Sequence, residues 1–117
     1  MTQGNRGTLA LDGRQFEVTS ERTSAGHRIR VSGEMDLSVI DAVDREIRQA
    51  EEADSERIVL DLDQLEFLDA AGIRMLLDAD ARSKGKGRRL QITRAASAQV
   101  QRVLDLTGVG EVLPFAA

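Results

Sequence analysis

Phe16 and Val18 share one face of the segment "FEVTSERT", and Ile29 and Val31 share one face of "HRIRVSG". Apolar residues at every second position are the mark of a strand with one buried side. The "SAG" between the two segments supplies turn chemistry, so they are expected to form an antiparallel hairpin. Asp12 and Gly13 make a further tight-turn pair after Leu9 and Leu11. Residues 1–8 are polar and Gly-containing and read as a flexible N-terminal tail.

The period changes after Ser38. Val39, Ile40, Val43, Ile47 and Ala50 recur at three- and four-residue steps, the stripe of an amphipathic helix. Ser38 is expected to cap its start, with Asp41 three residues on. "RIVLDL" is nearly all apolar, as in a strand covered on both faces. "FLDAAGIRML" then passes from the end of that strand into a second helix, through about Lys84. "RLQIT" predicts a third core strand, "ASAQVQRVLDLTG" a third helix ended by Gly108, and "EVLPF" a short final strand. Pro114 has no N–H for a ladder, which places that strand at an edge. Strands alternating with helices require right-handed crossovers. The expected fold is therefore one α/β domain over residues 9–117, a mixed, mostly parallel sheet with an N-terminal antiparallel hairpin and crossover helices.

Composition narrows the chemistry. The chain has 117 residues, enough for one core without staples, and 41% of them are apolar. No cysteine is present, which removes disulfides, thiolate catalysis and Cys-based zinc sites. With His27 as the single histidine, most catalytic triads and metal sites lack parts. No apolar run approaches the ~20 residues needed to span a bilayer, and "MTQGNRG" lacks the apolar core of a signal peptide. A cytoplasmic protein without membrane insertion is expected. The net charge of −4 argues against direct nucleic-acid binding. The basic "KGKGRR" segment matches neither a Walker loop nor a dinucleotide fingerprint and reads as a solvated turn.

Three acids, Asp61, Asp63 and Asp69, stand near the end of the central strand, where parallel sheets gather ligands and catalytic groups. They raise the reading of a magnesium or small-ligand site. No lysine or histidine close in sequence completes such chemistry, and structural roles are favoured: Asp63 in a turn, Asp69 as a helix cap. His27 reads as a solvated strand residue. Neither catalysis, metal nor cofactor is expected.

At the joint, Asp69 faces the first free amides of the second helix, and Ala70, Ala71 and Gly72 build its first turn. Small groups there leave the positive helix end open to close approach. At ~100° per residue, Ala71, Arg74, Met75, Asp78 and Arg82 fall on one outer side, while Ile73, Leu76 and Leu77 point inward. Asp80 falls on the inner side, an awkward place for a charge.

Four stretches together carry a resemblance: "GEMD" at 33–36, "IVLDLDQLEFLDAAGIRML" at 58–76, "KGRRLQIT" at 86–93 and "VQRVLDLTGV" at 100–109. In this order and spacing they resemble the STAS domain, most of all the bacterial anti-sigma factor antagonists. The resemblance implies a non-enzymatic binding module for an anti-sigma factor that is also a GHKL-type serine kinase, binding that frees a sigma factor. It also implies a switch, phosphorylation of a serine directly before the joint glycine, in an Asp-Ser-Ser-Gly or Asp-Thr-Ser-Gly motif. Here that position is Ala71, preceded by Ala70, so no phosphoacceptor stands at the family position.

A phosphate would bring about −1.5 to −2 charges beside Asp69. Alanine leaves the surface in its unmodified shape. The expected partner-binding set is Glu34, Met35 and Asp36 from the "GEMD" loop, with Asp69, Ala70, Ala71, Arg74, Met75 and Asp78 from the joint and helix. Two other readings stand beside this one: a STAS subunit of an ABC-type lipid-transport or stress-sensing assembly, and a small-ligand or metal-binding α/β domain.

Overall fold

Buried positions recur at every second residue from Phe16 to Ser20 and again at Ile29 and Val31, while Leu60, Asp61 and Leu62 are buried in succession. In the computed structural model, which describes residues 4–11, 14–24, 26–53, 57–87 and 89–115, five strands form one sheet. They are β1 (Gly4–Leu11), β2 (Arg14–Thr23), β3 (Gly26–Met35), β4 (Ile58–Leu68) and β5 (Leu90–Ile92), side by side in chain order. β1–β2 and β2–β3 are antiparallel, whereas β3–β4 and β4–β5 are parallel. Three helices, α1 (Ile40–Glu52), α2 (Ala70–Lys84) and α3 (Ala98–Thr107), complete the mixed α/β architecture that the hydrophobic pattern predicts.

The antiparallel part is larger than a hairpin. Gly4 pairs with Glu21 and Leu11 with Arg14, so the expected tail joins the sheet from Gly4 onward. Without β1, the outer edge of β2 would present a row of unpaired backbone donors and acceptors. The Asp12–Gly13 turn, and Ala25 of the next one, lie outside the described residues. The C-terminal strand shrinks instead. Residues Val109–Glu111 form a 3-10 turn, and one parallel bridge, Ile92 with Phe115, remains of "EVLPF". Ile92 N donates to the Pro114 carbonyl at 3.0 Å, but the ring nitrogen of Pro114 cannot return a bond, so the ladder stops.

Register between β3 and β4 slips twice. Arg30 faces Asp61 but Ser32 faces Gln64, and Gly33 faces Leu65 but Glu34 faces Phe67. Each slip adds a residue to β4, a bulge that turns the strand and redirects side chains near its end. Leu60, Leu62, Leu65 and Leu68 all reach the core. There they meet Ile29 and Val31 of β3, Val43 and Ile47 of α1, Leu76 of α2, Ile92 of β5, and Val100 and Leu104 of α3. On the other sheet face, Glu17, Thr19, Arg28, Arg30 and Ser32 alternate with these buried residues and keep access to solvent.

One local expectation resolves differently from the pattern and another holds. Ser38 does not cap α1: the N-cap is Val39, which makes no side-chain cap bond. The Ser38 amide and hydroxyl both donate to Asp36 Oδ1, at 3.0 and 2.5 Å. Asp36, two residues upstream, thus wins the hydroxyl for an Asx turn. Asp80 is buried as the helical wheel indicated, and its carboxylate is answered by Lys84 Nζ at 3.1 Å.

Candidate functional site

β4 ends at Leu68, and Asp69 is extended, with φ −106° and ψ −176°. Its Oδ1 accepts the Gly72 amide at 3.0 Å, capping α2 as expected. Its own amide donates to the Met35 carbonyl at 3.3 Å, which ties the joint to the end of β3. Gly72 lets Leu68 and the end of β3 pack closely on the start of α2. A Cβ on it would stand 2.4 Å from Leu68 Cδ1 and 3.5 Å from the Met35 carbonyl oxygen. The "GEMD" loop and the start of α2 are therefore neighbours.

Of the residues named for this surface, Ala70, Arg74 and Asp78 are exposed, and Asp36, Asp69 and Ala71 are half-buried. Glu34, half-buried as well, pairs with Phe67 and alternates away from Met35, toward the polar face of the sheet. Met35 and Met75 do not present to a partner: they are 0% and 4% exposed and belong to the core. The reason for Met75 is α1, which packs beside α2 and covers the flank that the helical wheel leaves open. Arg82 marks that flank, reaching Glu51 at 3.2 Å and Asp44 at 3.2 Å on α1. The exposed stripe of α2 turns accordingly toward Ala70, Arg74, Asp78 and Ala81. Leu37, outside the sequence-derived set, is 76% exposed in the loop between β3 and α1. A single apolar residue in a loop has no periodic signal to mark it.

Three hydroxyls away from the joint are engaged in different ways. Thr93 Oγ1 donates to Asp61 and accepts the Leu62 amide, Ser97 caps α3 through the Val100 amide, and Thr107 bonds carbonyls at the end of the same helix. Ser38, by contrast with these three, adjoins the "GEMD" loop.

Asp61 is 2% exposed on the otherwise polar sheet face. It accepts from Arg28 Nη2 at 2.6 Å, the Asp63 amide at 2.9 Å, Thr93 Oγ1 at 3.2 Å and Arg30 Nε at 3.4 Å. Burial raises its pKa, but the Asp63 amide, Arg28 and Thr93 outweigh burial and hold the carboxyl below the usual carboxylate range. Asp61 thus ties β3 to β4 and to Thr93, the residue that follows β5. Among the described residues no group of three acids and imidazoles is placed to hold a metal ion. His27 is held below the ordinary histidine range by burial, with Arg22 adding to the effect. A cleft of about 660 Å³ is lined by Phe16, Glu17, Ser32, Asp63, Glu66 and Ser97 among others; among the described residues no cation lines it, and its three acids disfavour a phosphate-bearing ligand. The "KGKGRR" segment is a helix exit, with Gly85 N bonding Ala81 O and Lys86 N bonding Ser83 O; Arg88 lies outside the described residues. No described helix is long and apolar enough to cross a membrane.

Three comparisons bear on this geometry. The family model described as "Mlab, STAS domain" matches residues 18–114. An anti-sigma F factor antagonist from Paenibacillus polymyxa is 30% identical over 88 residues, 74% of this chain and 74% of that protein. Among solved structures, an anti-sigma factor antagonist from Mycobacterium paratuberculosis superposes with a TM-score of 0.70 at 23% identity, covering 95% of this chain and 85% of that one. The antagonist SpoIIAA in its unphosphorylated form gives a TM-score of 0.70 at 20% identity, with 86% and 88% covered. A family match across nearly the whole domain, a relative with a regulator's name and two neighbours sharing the fold agree: this chain belongs to the STAS domain family and is like its anti-sigma factor antagonists.

Proposed function

We propose that this chain is an anti-sigma factor antagonist that docks on a GHKL-type anti-sigma factor kinase and so frees a sigma factor, without a phosphorylation switch at the family position. The observation that carries this reading is the pair Ala70–Ala71 at the accessible start of α2, beside a capping Asp69 and the "GEMD" loop. The surface keeps the small, uncharged profile that a docking partner meets in an unmodified antagonist. A methyl group offers no oxygen to a phosphoryl donor, so the profile is permanent at this position. The docking set is Asp36, Asp69, Ala70, Ala71, Arg74 and Asp78, with Glu34 at its margin.

Titration of purified GHKL-type anti-sigma factor kinase domains from the source organism tests the proposal. Ala71→Glu is expected to weaken binding about tenfold or more, since the longer side chain wedges apart a close contact at the start of α2 and its charge is desolvated there. The melting curve of the variant stays close to that of the parent, because residue 71 is outside the core. Equal affinity of variant and parent contradicts the docking surface.

A second reading has its own support. The missing hydroxyls at residues 70 and 71 suit a STAS subunit of an ABC-type lipid-transport or stress-sensing assembly, a role that needs no phosphorylation switch. A pull-down scored for a GHKL protein against an ABC ATPase separates the two.

A further inference from the structure

With Met35 and Met75 in the core, the docking surface has lost both apolar contacts that the sequence offered it. Leu37 replaces them. It is 76% exposed between two buried neighbours, Met35 and Val39. Its backbone is fixed on both sides. The Asp36 carbonyl accepts the Val39 amide at 3.1 Å, and the Asp36 carboxylate holds Ser38 through amide and hydroxyl. The Met35 carbonyl is held by the Asp69 amide of the joint. The backbone of such a turn is ordered before binding, so covering Leu37 costs little beyond the freedom of its own side chain.

We propose that Leu37 is the apolar anchor of the docking surface, filling an apolar pocket with a cationic rim on the anti-sigma factor kinase; this rests on the reading above. Charge selects the occupant. The docking set carries Asp36, Asp69 and Asp78 against Arg74, with Arg48 of α1 in electrostatic reach of Asp78, so it stays net acidic and a rim of Lys or Arg complements it. A second copy of this chain is disfavoured, because a two-fold contact would set the same acids against each other. An anionic lipid surface is disfavoured for the same reason. Two other large apolar residues are well exposed among the described residues, Leu106 at 77% and Val112 at 52%, and both lie in or after α3, away from the joint. Leu106 therefore serves as an internal control of equal exposure.

The test is calorimetric titration of an ADP-loaded, purified GHKL anti-sigma factor kinase domain with the full chain and three variants, Leu37→Ser, Leu106→Ser and Ala71→Glu. The expected result is a loss of about tenfold or more for Leu37→Ser and less than about twofold for Leu106→Ser. Affinity of the parent chain also falls as salt is raised. If Ala71→Glu weakens binding and Leu37→Ser does not, the anchor is wrong while the docking surface stands. If neither variant weakens binding, or no such kinase binds the parent chain, the docking reading itself is overturned and the anchor with it. A dimer of the chain that dissociates on Leu37→Ser, at unchanged kinase affinity, also overturns the anchor. Because Leu37 is exposed, all variants are expected to fold, and circular dichroism checks this directly.

Discussion

Replacing Asp61 by alanine removes the acceptor on which β3, β4 and Thr93, just past β5, converge. Four bonds are lost, of which those from Arg28 at 2.6 Å and the Asp63 amide at 2.9 Å are short, and those from Thr93 at 3.2 Å and Arg30 at 3.4 Å are long. A hydrogen bond to a charged group contributes about 1.5–3 kcal/mol. The Arg28 and Arg30 side chains keep 42% and 56% of their surface in solvent, so screening discounts their share strongly. The Thr93 hydroxyl retains the Leu62 amide as a donor, which limits the damage there. The sum is about 2–3 kcal/mol, equivalent to roughly a 10 °C fall in Tm for a chain of this size.

The pH dependence has a definite sign. The folded pKa of Asp61 lies below its unfolded value of about 3.9, so the carboxylate's stabilisation is fully present above that value. It is lost as pH falls through the folded pKa. Urea denaturation of parent and Asp61→Ala at neutral pH and at steps down to about pH 3 reads the effect. The gap between the two proteins is expected to be widest near neutrality and to narrow on acidification. A gap below about 0.5 kcal/mol at neutral pH, or one that widens with acid, refutes the role given to Asp61.

Two further perturbations test the frame around the docking surface. Gly26→Ala places a Cβ 2.0 Å from the Arg57 carbonyl oxygen at a backbone φ of +145°, and backbone cannot yield as a side chain can. A loss of about 2–3 kcal/mol in thermal melting is expected, and an unchanged Tm contradicts the geometry of the β2–β3 connection. Asp69→Ala removes the acceptor of the Gly72 amide and should cost about 1 kcal/mol. Faster amide exchange should appear in the first turn of α2 and not in α3, and equal exchange in both helices counts against the cap.

Much of the fold was legible because period carries it. Phe16 and Val18, Ile29 and Val31, and the stripe from Val39 to Ala50 each declare their element by spacing alone. Strand β1 was not legible, since its opening "GNRG" has no alternation, and its pairing answers the open edge of β2 rather than its own pattern. Ser38 misleads for a local reason, because Asp36 competes for its hydroxyl. The outer side of α2 was misplaced by part of a turn, since a helical wheel treats a helix in isolation and the flank carrying Met75 is covered by α1. Asp61 looked like part of an acidic site because its partners Arg28 and Arg30 are more than 30 residues away and meet it only through the β3–β4 register. The joint was the most readable part of the candidate site: an acid, two alanines and a glycine have few ways to begin a helix against two strand ends.

The most direct measurement follows affinity while the phosphoryl donor is supplied. The parent chain is incubated with the GHKL kinase and ATP, then titrated, and its phosphate content mapped by mass spectrometry. The prediction is unchanged affinity with no phosphate on residues 70–72, while Ala71→Ser gains a phosphate at residue 71 and loses binding under the same conditions. A parent chain that acquires a phosphoryl group elsewhere on the docking surface, and releases the kinase as it does so, contradicts the claim that this surface is always open.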